Sequence, residues 1–515
     1  MKALPLSNLL AKVSPTVPVD ITRLPPAVLD ATVTGIAYDS RVVAPGNVFV
    51  ALQGLTTDGA NYAREAIARG ALAVVGESVP DDVPAVVVPR GRHALAALAS
   101  VFFDDPSESL MVVGVTGTNG KTTTTYLLSS IFECAGLPCG RIGTVGYRVG
   151  QDERPAARTT PEAPDLQRML REMVTQGTAA CAIEVSSHAL ELDRVDFVRF
   201  AGAVFTNLTR DHLDFHGDMD SYFAAKRKLF ERLSADAPAA INVDDPRGAR
   251  LAASVGTPIT YGLTAEASVH PLELQLTLEG IDGLVQTPVG TFRLRMSMPG
   301  RPNAYNALGA AAVAIGLHLP LRDIEAGLAA VPAVPGRFEV VSSAVDDVAV
   351  VVDYAHTDDA LRNLLETARA LTRKRIITVF GCGGDRDRTK RPLMGMVAAR
   401  LSDLVVLTSD NPRSEDPLAI IEEVKRGFVP PDDRPVRKGG VAIAPVQSTP
   451  WLAIPDREAA ITRAVVEAEP GDVVLVAGKG HETTQVIGTR VLPFDDADVS
   501  RKALVRRRQA SSVAR

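Results

Sequence analysis

Short apolar runs alternate along this 515-residue chain with segments of helical period, and polar residues follow most of the runs directly. Residues 111–115, 180–185 and 202–207 are rich in small and β-branched side chains, which indicates buried strands of a parallel sheet. Residues 303–317 indicate an Ala-rich helix, and residues 287–298 alternate as one strand does. This pattern predicts an α/β fold with a mostly parallel central sheet covered by helices on both faces.

The same patterns divide the chain into three predicted domains. The chain is too long for one hydrophobic core, and turn-forming residues at 104–106 and 332–336 mark two boundaries. We expect a small α/β domain over 1–105, a central domain over 106–335 and a third α/β domain over 336–515. The predicted elements are strands at 33–38, 46–52, 71–75 and 85–88, a helix at 60–69 that Gly70 ends, and third-domain strands at 349–353, 376–380, 404–408 and 473–477.

The segment 116–123 has the composition of a phosphate-binding loop. It follows a predicted strand and reads Thr-Gly-Thr-Asn-Gly-Lys-Thr-Thr, so two glycines allow a tight turn before a helix begins at Lys121. Backbone N–H groups and Lys121 can hold phosphates, and the Thr122 hydroxyl can ligate Mg²⁺. Val115 replaces the first glycine of the usual G-x-x-x-x-G-K-[ST] pattern, and the plainer alternative is a turn with a surface lysine. The placement between strand and helix favours a nucleoside triphosphate site.

Polar residues after other predicted strands form further candidate sites. Because ligands bind outside the carboxyl ends of parallel strands, we expect Glu184 and Asn207 at the same sheet edge as the phosphate loop. Glu184 is placed to bind Mg²⁺, and residues 207–216 include two His and two Asp that can ligate a metal or face a phosphate. The basic loop 381–391 and the segments 410–413 and 478–482 suit an anionic or zwitterionic ligand. For each segment taken alone, a solvated turn is the plainer alternative. These polar segments belong to the central and third predicted domains. If the edges that carry them face each other, we expect a cleft between the two domains that closes on its ligands.

Composition and charge narrow the classes of function. A net charge of −6 argues against non-specific nucleic-acid binding, and 46% hydrophobic with 23% charged residues is ordinary for a globular enzyme. The four cysteines form no C-x-x-C pair, which favours reduced thiols in a cytoplasmic protein over disulfides or a zinc site. Pro5, Asn8 and Lys12 interrupt any apolar segment at the start, and no uncharged run has the length of a membrane span. We therefore expect neither a signal peptide nor membrane insertion.

Several motifs, in order along the chain, resemble the signatures of the Mur ligase family. They are Asp39-Ser40-Arg41, the phosphate loop, 184–188, 207–216, Gly336-Arg337-Phe338-Glu339, Asp353-Tyr354-Ala355-His356, Asp410-Asn411-Pro412-Arg413 and 478–482. The resemblance covers all three predicted domains. It implies a small N-terminal UDP-sugar-binding domain, a central P-loop ATPase-like domain and a C-terminal Rossmann-like domain that binds an amino acid. It also implies a monomer that uses ATP and Mg²⁺ and acts on small molecules.

The reaction implied by the resemblance is ATP-dependent amide bond formation in peptidoglycan precursor synthesis. ATP phosphorylates the D-Glu γ-carboxylate of UDP-MurNAc-L-Ala-D-Glu, and the amine of an incoming amino acid attacks the acyl phosphate. The motif 410–413 narrows that amino acid to meso-2,6-diaminopimelate, whose distal carboxylate a bidentate Arg413 can hold. L-Lysine and L-ornithine stay open as acceptors. So do another ligase of the superfamily, such as a folylpolyglutamate synthetase, and a nucleotide-binding switch without catalysis.

The resemblance also implies roles for individual residues. The catalytic residues are Lys121, Glu184, His212 and Lys226, and the metal ligands are Thr122, Glu184, His212 and Lys226, the last as a carbamate (N6-carboxylysine). Contacts to ATP are implied for Gly117, Thr118, Asn119, Gly120, Lys121, Thr122, Thr123, Asn303, Asn306, Arg337, Asp353 and His356. Contacts to the UDP-MurNAc-dipeptide are implied for Ser40, Arg41, Thr159, Thr160, Ser186 and Arg194, and contacts to diaminopimelate for Arg386, Asp410, Asn411, Arg413, Gly478 and Glu482.

Two positions depend on the resemblance in different ways. From the residues alone, Lys226 is a lysine on a helix surface, and only the resemblance gives it a role. At Asp358 the chain departs from the family, which often has a turn proline there. The loss of that proline leaves the rigidity of the loop after His356 open, and the residues implied to carry the chemistry are still present.

Overall fold

A computed structural model describes residues 4–54, 57–256, 258–428 and 449–513, with side chains through residue 510. Its first part is a small α/β unit whose elements are β1 Leu4–Pro5, α1 Leu6–Val13, β2 Asp20–Arg23, α2 Pro26–Leu29, β3 Thr32–Val33, β4 Gly35–Ala37, β5 Asn47–Val50, α3 Ala63–Ala68, β6 Ala73–Gly76, β7 Ala85–Val87 and α4 Gly91–Phe102. The sheet order is β2-β7-β6-β5-β4, parallel except for β2 at the edge. Short 3₁₀ turns lie at Ser40–Val42, Gly59–Tyr62, Pro106–Glu108 and Arg426–Phe428.

The strand predicted at 33–38 is wrong as one element, because the run divides at Thr34. Strand β3 pairs with β1 in a separate two-stranded sheet, whereas β4 pairs with β5. The Thr34 N–H donates instead to the Gly46 carbonyl at 2.9 Å. The predicted helix end is confirmed, since Gly70 has a φ of +99° just beyond α3.

The central part is built on a mixed eight-stranded sheet of order β11-β10-β9-β12-β8-β13-β14-β15. Its elements are β8 Met111–Thr116, α5 Lys121–Cys134, β9 Cys139–Ile142, β10 Tyr147–Val149, β11 Asp152–Arg154, α6 Ala163–Thr175, β12 Ala180–Glu184, α7 Ser187–Glu191, β13 Gly202–Phe205, α8 Leu213–His216, α9 Met219–Glu231, β14 Ala239–Asn242, α10 Pro246–Ala252, β15 Pro258–Tyr261, β16 His270–Thr277, β17 Gly280–Thr287, β18 Gly290–Met296, α11 Arg301–Gly316 and α12 Leu321–Ala329.

Strand β8 lies inside this sheet and is buried on both of its faces. Val113 and Val115 pack in one core with α5, α11 and α12, and Val112 packs in a second core with α6 and α9. The prediction of a mostly parallel sheet covered on both sides is therefore confirmed. Since β12 and β13 flank β8, the loops that follow these three strands emerge side by side.

The strand predicted at 287–298 is present as β18, but its predicted start is wrong, because residues 287–290 form a hairpin turn through which the alternation continues. Strand β17 ends at Thr287 and β18 begins at Gly290, and the Thr287 hydroxyl donates to the Gly290 carbonyl at 2.7 Å. Together with β16 they form a separate antiparallel sheet. A two-residue turn leaves the period of two unbroken, so hydrophobicity alone does not reveal it.

The third part carries a six-stranded sheet of order β19-β20-β24-β21-β22-β23, parallel except for β19. Its elements are β19 Glu339–Val340, β20 Ala349–Asp353, α13 Asp358–Leu371, β21 Ile376–Phe380, α14 Lys390–Leu401, β22 Leu404–Leu407, α15 Pro417–Lys425, β23 Trp451–Ala453, α16 Arg457–Val466, β24 Val473–Ala477, β25 Thr484–Ile487, β26 Arg490–Pro493 and α17 Asp496–Val513. Each predicted domain boundary falls between the residue ranges of different sheets.

The first residues of the third part contact the loop after β24 through two glycines. Gly336 and Gly480 have φ values of +64° and +54°. A Cβ at Gly336 would lie 2.6 Å from the Gly480 Cα, and one at Gly480 would lie 2.9 Å from the Tyr354 backbone. Neither position has room for a side chain, so the start of the third part packs directly on the loop after β24.

Two global expectations can be compared with these elements. All four cysteines are free, as predicted. Within the described ranges, no helix is both long enough and apolar enough to cross a membrane.

Candidate active site

The loop between β8 and α5 turns tightly around two glycines. Gly117 has a φ of +147°, and a Cβ there would lie 1.8 Å from the Thr206 hydroxyl oxygen. Gly120 has a φ of +87° and precedes the first residue of α5, Lys121. The backbone therefore needs glycine at Gly117 for space, and the loop opens onto a helix N-terminus, where negative charge is favoured.

The loop after β13 holds the phosphate loop in place. The Asn207 side chain accepts from the Asn119 N–H at 3.0 Å and donates to the Asn119 carbonyl at 3.2 Å. The Thr118 N–H donates to the Asn207 carbonyl at 2.9 Å. Asn207 thus lies at the sheet edge where the sequence placed it, and it positions the loop through both its side chain and its backbone.

Two lysines converge on one carbonyl of this loop. The ammonium nitrogens of Lys121 and Lys226 lie 3.0 and 2.7 Å from the Gly117 carbonyl, and Lys121 also donates to Thr118 at 2.8 Å. Burial lowers the pKa of both lysines, and the neighbouring Lys121 cation lowers that of Lys226 further. The residues alone had indicated that Lys226 lies on a helix surface. The structure instead places it on the buried side of α9.

The candidate metal ligands Thr122 and Glu184 are both buried. The Thr122 hydroxyl accepts from an Arg337 guanidinium N–H at 3.2 Å, which brings the third part of the chain onto the start of α5. The Glu184 carboxylate accepts from the backbone N–H of Thr144 at 2.8 Å and from its hydroxyl at 3.0 Å. A hydroxyl and a carboxylate are the hard oxygen donors that Mg²⁺ prefers, so this donor set fits that ion.

His212 is packed among other aromatic rings. It adopts a left-handed conformation with φ +52°, and its ring centroid lies 4.8 Å from that of His188 and 6.2 Å from that of Tyr222. Contact with the surrounding protein lowers its pKa to about 4, although 45% of the side chain is exposed and Asp211, whose carboxylate lies 3.3 Å from the ring, opposes the shift. A neutral imidazole retains a lone pair for a metal.

One carboxylate cluster lies elsewhere. In the ranges that the structure covers, one group of side chains has the spacing that a metal ion needs. It consists of His93, Asp193 and Asp196, whose ligand atoms all lie within 4.8 Å of one another. Arg90 already pairs with Asp193 at 2.6 Å, and Arg232 pairs with Asp196. This cluster is a set of ion pairs that joins α4 to the central part.

The residues implied for the rest of the nucleotide lie in two places, on α11 and at or just after the end of β20. The Asn306 side chain lies against Gly120 and donates to the Asn303 side chain at 3.3 Å. Asp353 accepts from two backbone N–H groups, those of Phe338 at 2.7 Å and Ala355 at 2.8 Å. Burial raises the pKa of Asp353 and lowers that of His356, whose ring contacts the Tyr354 carbonyl at 2.9 Å. Their roles toward ATP stay predictions.

The residues implied for the dipeptide end lie next to Glu184. The Thr160 hydroxyl donates to the Glu184 carbonyl at 2.8 Å and accepts from the Ser186 N–H at 3.1 Å. The Thr159 hydroxyl lies 3.1 Å from that of Thr144. Arg194 donates to the Thr160 carbonyl at 3.2 Å and pairs with Glu162 at 2.9 Å.

The residues implied for the uridine end lie in the first part of the chain. Ser40 is buried at the start of a 3₁₀ turn. Arg41 is exposed and pairs in a bidentate manner with Asp39, at 2.9 and 2.6 Å. The structure therefore places Arg41 at the surface with a partner of its own.

The residues that the resemblance implies for the amino acid lie on loops that follow three adjacent parallel strands, β24, β21 and β22, and we call this candidate site the amino-acid pocket. Asn411 donates to the Glu482 carboxylate at 2.7 Å, and Lys479 donates to the same carboxylate at 3.1 Å. Arg413 has a φ of +52° and donates from its guanidinium to the Gly384 carbonyl at 2.7 Å. Its remaining N–H groups are those that a carboxylate ligand would use.

Three other residues implied for this pocket differ in exposure. Arg386 is exposed and lies, with Arg413, beside Gly383. Asp410 is buried 3.9 Å from the Lys479 ammonium, and burial raises its pKa. Gly478 packs against the Asp410 carboxylate. Asp410 is therefore a buried residue that packs beneath Gly478 and Lys479.

The departure from the family at Asp358 falls at the start of a helix. Asp358 is the first residue of α13, and the Thr357 hydroxyl caps this helix by accepting from the Ala360 N–H at 3.2 Å. The next residue, Asp359, accepts from the Thr209 hydroxyl of the central part at 2.7 Å. An acidic residue suits the first turn of a capped helix as proline does.

Sequence reasoning missed Thr144, Lys479 and His481. Thr144 lies in a loop without a motif of its own, so no sequence signal could have found it. Lys479 and His481 lie inside the segment 478–482, where their side chains were not assigned a role.

Family comparisons agree with this geometry. The chain matches the Mur ligase middle domain over residues 115–314, the Mur ligase glutamate ligase domain over 336–480 and the Mur ligase family catalytic domain over 32–103. The chain therefore belongs to the Mur ligase family and is an ATP-dependent ligase.

Individual relatives narrow the similarity further. The UDP-N-acetylmuramoyl-L-alanyl-D-glutamate--2,6-diaminopimelate ligase of Solibacter usitatus is 47% identical over 93% of this chain and 95% of its own length. The enzyme of the same name from Gloeobacter violaceus is 44% identical over 99% of both chains. A solved structure of a ligase of that name has a TM-score of 0.67 at 31% identity, covering 98% of this chain and 100% of its own.

Proposed function

We propose that this chain joins the amine of meso-2,6-diaminopimelate to the D-Glu γ-carboxylate of UDP-MurNAc-L-Ala-D-Glu, with ATP as the energy source. The observation that carries the proposal is the pocket in which Arg413, Asn411 and Glu482 come together from adjacent loops. A cation and a carboxylate on one rim suit a zwitterionic amino acid. A second carboxylate on that ligand gives Arg413 a partner that lysine and ornithine lack.

The phosphate loop supports the first half of the reaction. Transfer of the γ-phosphoryl group of ATP to the γ-carboxylate gives an acyl phosphate and ADP, and brings anionic groups together. Lys121, Arg337 and the backbone N–H groups of the loop neutralise and orient those phosphates. When bound, Mg²⁺ would offset further negative charge, and Thr122, Glu184 and His212 would hold it, with Lys226 as a ligand if it carries a carbamate.

The amino-acid pocket supports the second half. The acceptor amine attacks the acyl carbon, and phosphate leaves with the bonding electrons while the amine loses a proton. Glu482 already accepts from Asn411 and Lys479 through one oxygen, so its other oxygen is available for the acceptor ammonium. Arg337 reaches from the third part to the start of α5, because its guanidinium donates to the Thr122 hydroxyl at 3.2 Å and lies 4.8 Å from the Tyr354 ring centroid.

The first test compares phosphate release with meso-diaminopimelate, L-lysine and L-ornithine in the presence of ATP, Mg²⁺ and UDP-MurNAc-L-Ala-D-Glu. We expect turnover with diaminopimelate and little with the other two. Arg413→Lys should lower kcat/KM for diaminopimelate about 10- to 100-fold, which corresponds to roughly 1.5–3 kcal/mol of charge-assisted hydrogen bonding. Arg388→Lys is the matched control, because Arg388 lies on the basic loop but pairs with Glu423.

Other outcomes would change the proposal in defined ways. A preference for lysine or ornithine would keep the reaction class and remove the role given to Arg413. Absence of phosphate release with every acceptor would favour another ligase of the superfamily or a nucleotide-binding switch.

The setting of the reaction belongs to the same proposal. We place it in the cytoplasm with small molecules as its partners, since the thiols are free and the net charge of −6 disfavours nucleic acid. We also propose a monomer, which sedimentation of the purified chain would test.

A further inference from the structure

The loop between β9 and β10 lies directly over the Glu184 carboxylate. A hydrogen bond of 3.3 Å from the Gly143 N–H to the Gly146 carbonyl closes this turn. A Cβ at Gly143 would lie 2.2 Å from the nearer Glu184 carboxylate oxygen, so only glycine lets the loop approach this closely. Thr144 then gives that carboxylate two hydrogen bonds, one to each oxygen.

The direction of the hydrogen bonds around Thr144 follows from proton counting. The carboxylate only accepts, so the single hydroxyl proton of Thr144 points to Glu184. The hydroxyl of Thr159, 3.1 Å away, must then be the donor to the Thr144 oxygen. The result is an ordered chain from Thr159 through Thr144 to Glu184, which leaves the Thr159 oxygen to accept from another group.

The same loop also meets the third part of the chain. Burial lowers the pKa of His481 to about 4, and a hydrogen bond with the backbone of Thr144 opposes that shift. His481 is the neighbour of Glu482 in the amino-acid pocket, and its ring centroid lies 5.1 Å from that of Tyr354. Thr144 therefore contacts three regions: Glu184, Thr159 at the dipeptide end, and His481 in the third part of the chain.

We propose that Thr144 is a positioning residue that fixes the Glu184 carboxylate toward the metal of the bound nucleotide and links it to Thr159 on the dipeptide side. This inference rests on the proposed function for the identity of that metal. Groups that orient a metal ligand commonly change metal affinity or activity 10- to 100-fold when they are removed. Thr144 acts through Glu184 and not on the substrate itself.

The test is the affinity for Mn²⁺ in the presence of ADP, measured by titration with detection of free Mn²⁺ by electron paramagnetic resonance. Thr144→Val keeps the shape of the side chain and removes the hydroxyl, and we expect Mn²⁺ affinity to fall at least tenfold. Thr144→Ser restores the donor and should bind within about threefold of the parent, as conservative rescue of a positioning role requires. Circular dichroism during heating shows whether each variant is folded.

A matched control is Thr175→Val, which removes an exposed hydroxyl at the end of α6 that donates to the Arg171 carbonyl at 2.9 Å. It should leave Mn²⁺ affinity unchanged. Unchanged Mn²⁺ affinity in folded Thr144→Val, or equal losses in the Val and Ser variants, would overturn the inference. So would a parent enzyme that binds no Mn²⁺ with ADP. If the parent binds Mn²⁺ and ADP but forms no product with any acceptor, the proposed function fails instead.

Discussion

The ion pair between Arg457 and Asp496 ties two strand ends together behind the amino-acid pocket. Both side chains have 0% exposure, and the pair is bidentate, at 2.7 and 2.6 Å. The same guanidinium donates to the carbonyls of Ala477 at 3.0 Å and Ser409 at 3.3 Å. These are the residues directly before Gly478 and Asp410, so the pair fixes the starting points of two pocket loops.

Arg457→Met leaves the Asp496 carboxylate buried without its cation. Breaking a buried pair in this way costs about 3–5 kcal/mol of unfolding free energy. With a urea dependence of roughly 2 kcal/mol per molar, the unfolding midpoint should fall by roughly 1–3 M. Trp451 is the single tryptophan of the chain and lies in β23 of the same sheet, so its fluorescence reports the unfolding of this part.

A double variant separates charge from geometry. Arg457→Met combined with Asp496→Leu removes both charges, and replacement of a buried pair by apolar groups is often neutral or stabilising. We expect the double variant to regain most of the lost midpoint while KM for the acceptor stays raised, because the two strand-end carbonyls still lack their donor. This reasoning would be refuted if the unfolding free energy of Arg457→Met lay within about 1 kcal/mol of the parent value. It would also be refuted if the double variant were no more stable than the single variant.

Three further perturbations test other parts of the site. Lys226→Ala should abolish phosphate release, with partial rescue by bicarbonate or short carboxylic acids, and full activity in the untreated variant would contradict the carbamate. Lys479→Met removes a fully buried cation from the acceptor pocket, so KM for the acceptor should rise at least tenfold with KM for ATP unchanged. Hydrogen bonds from Arg391 hold the pKa of Glu415 at about 2, below its usual 4.5, so its stabilising effect is complete above about pH 4.5 and disappears as pH falls towards 2. Glu415→Gln should therefore lower the urea midpoint at pH 7 more than at pH 3, and equal losses at both would contradict the assignment.

The placement of the loops was predictable because each follows a strong apolar run. Strands β8, β12 and β13 carry continuous small and β-branched residues, and their order along the chain was enough to bring Glu184 and Asn207 to one sheet edge. Elements without that signal were missed or given wrong ends. Strand β17 was not predicted, and the strand predicted at 287–298 included the turn that precedes β18.

The environment of individual side chains was less predictable, because it depends on packing between distant segments. Lys226 is separated by 109 positions from Gly117, whose carbonyl it contacts, so nothing local marks it as buried. Thr144 reaches Glu184 across 40 positions from a loop without a motif. The effect of Asp358 could not be read from the sequence either, and the structure shows that the Thr357 hydroxyl caps the helix that begins there.

The contact between Gly336 and Gly480 has a consequence for how this sequence can vary in natural populations. Each position is closed to any side chain by the backbone of another segment, and each also needs a positive φ. A change at one cannot be compensated by a change at the other, because the obstruction is main chain in both directions. Substitutions should therefore be absent from both sites independently, and diversity in the acceptor pocket has to come from the side chains around this joint.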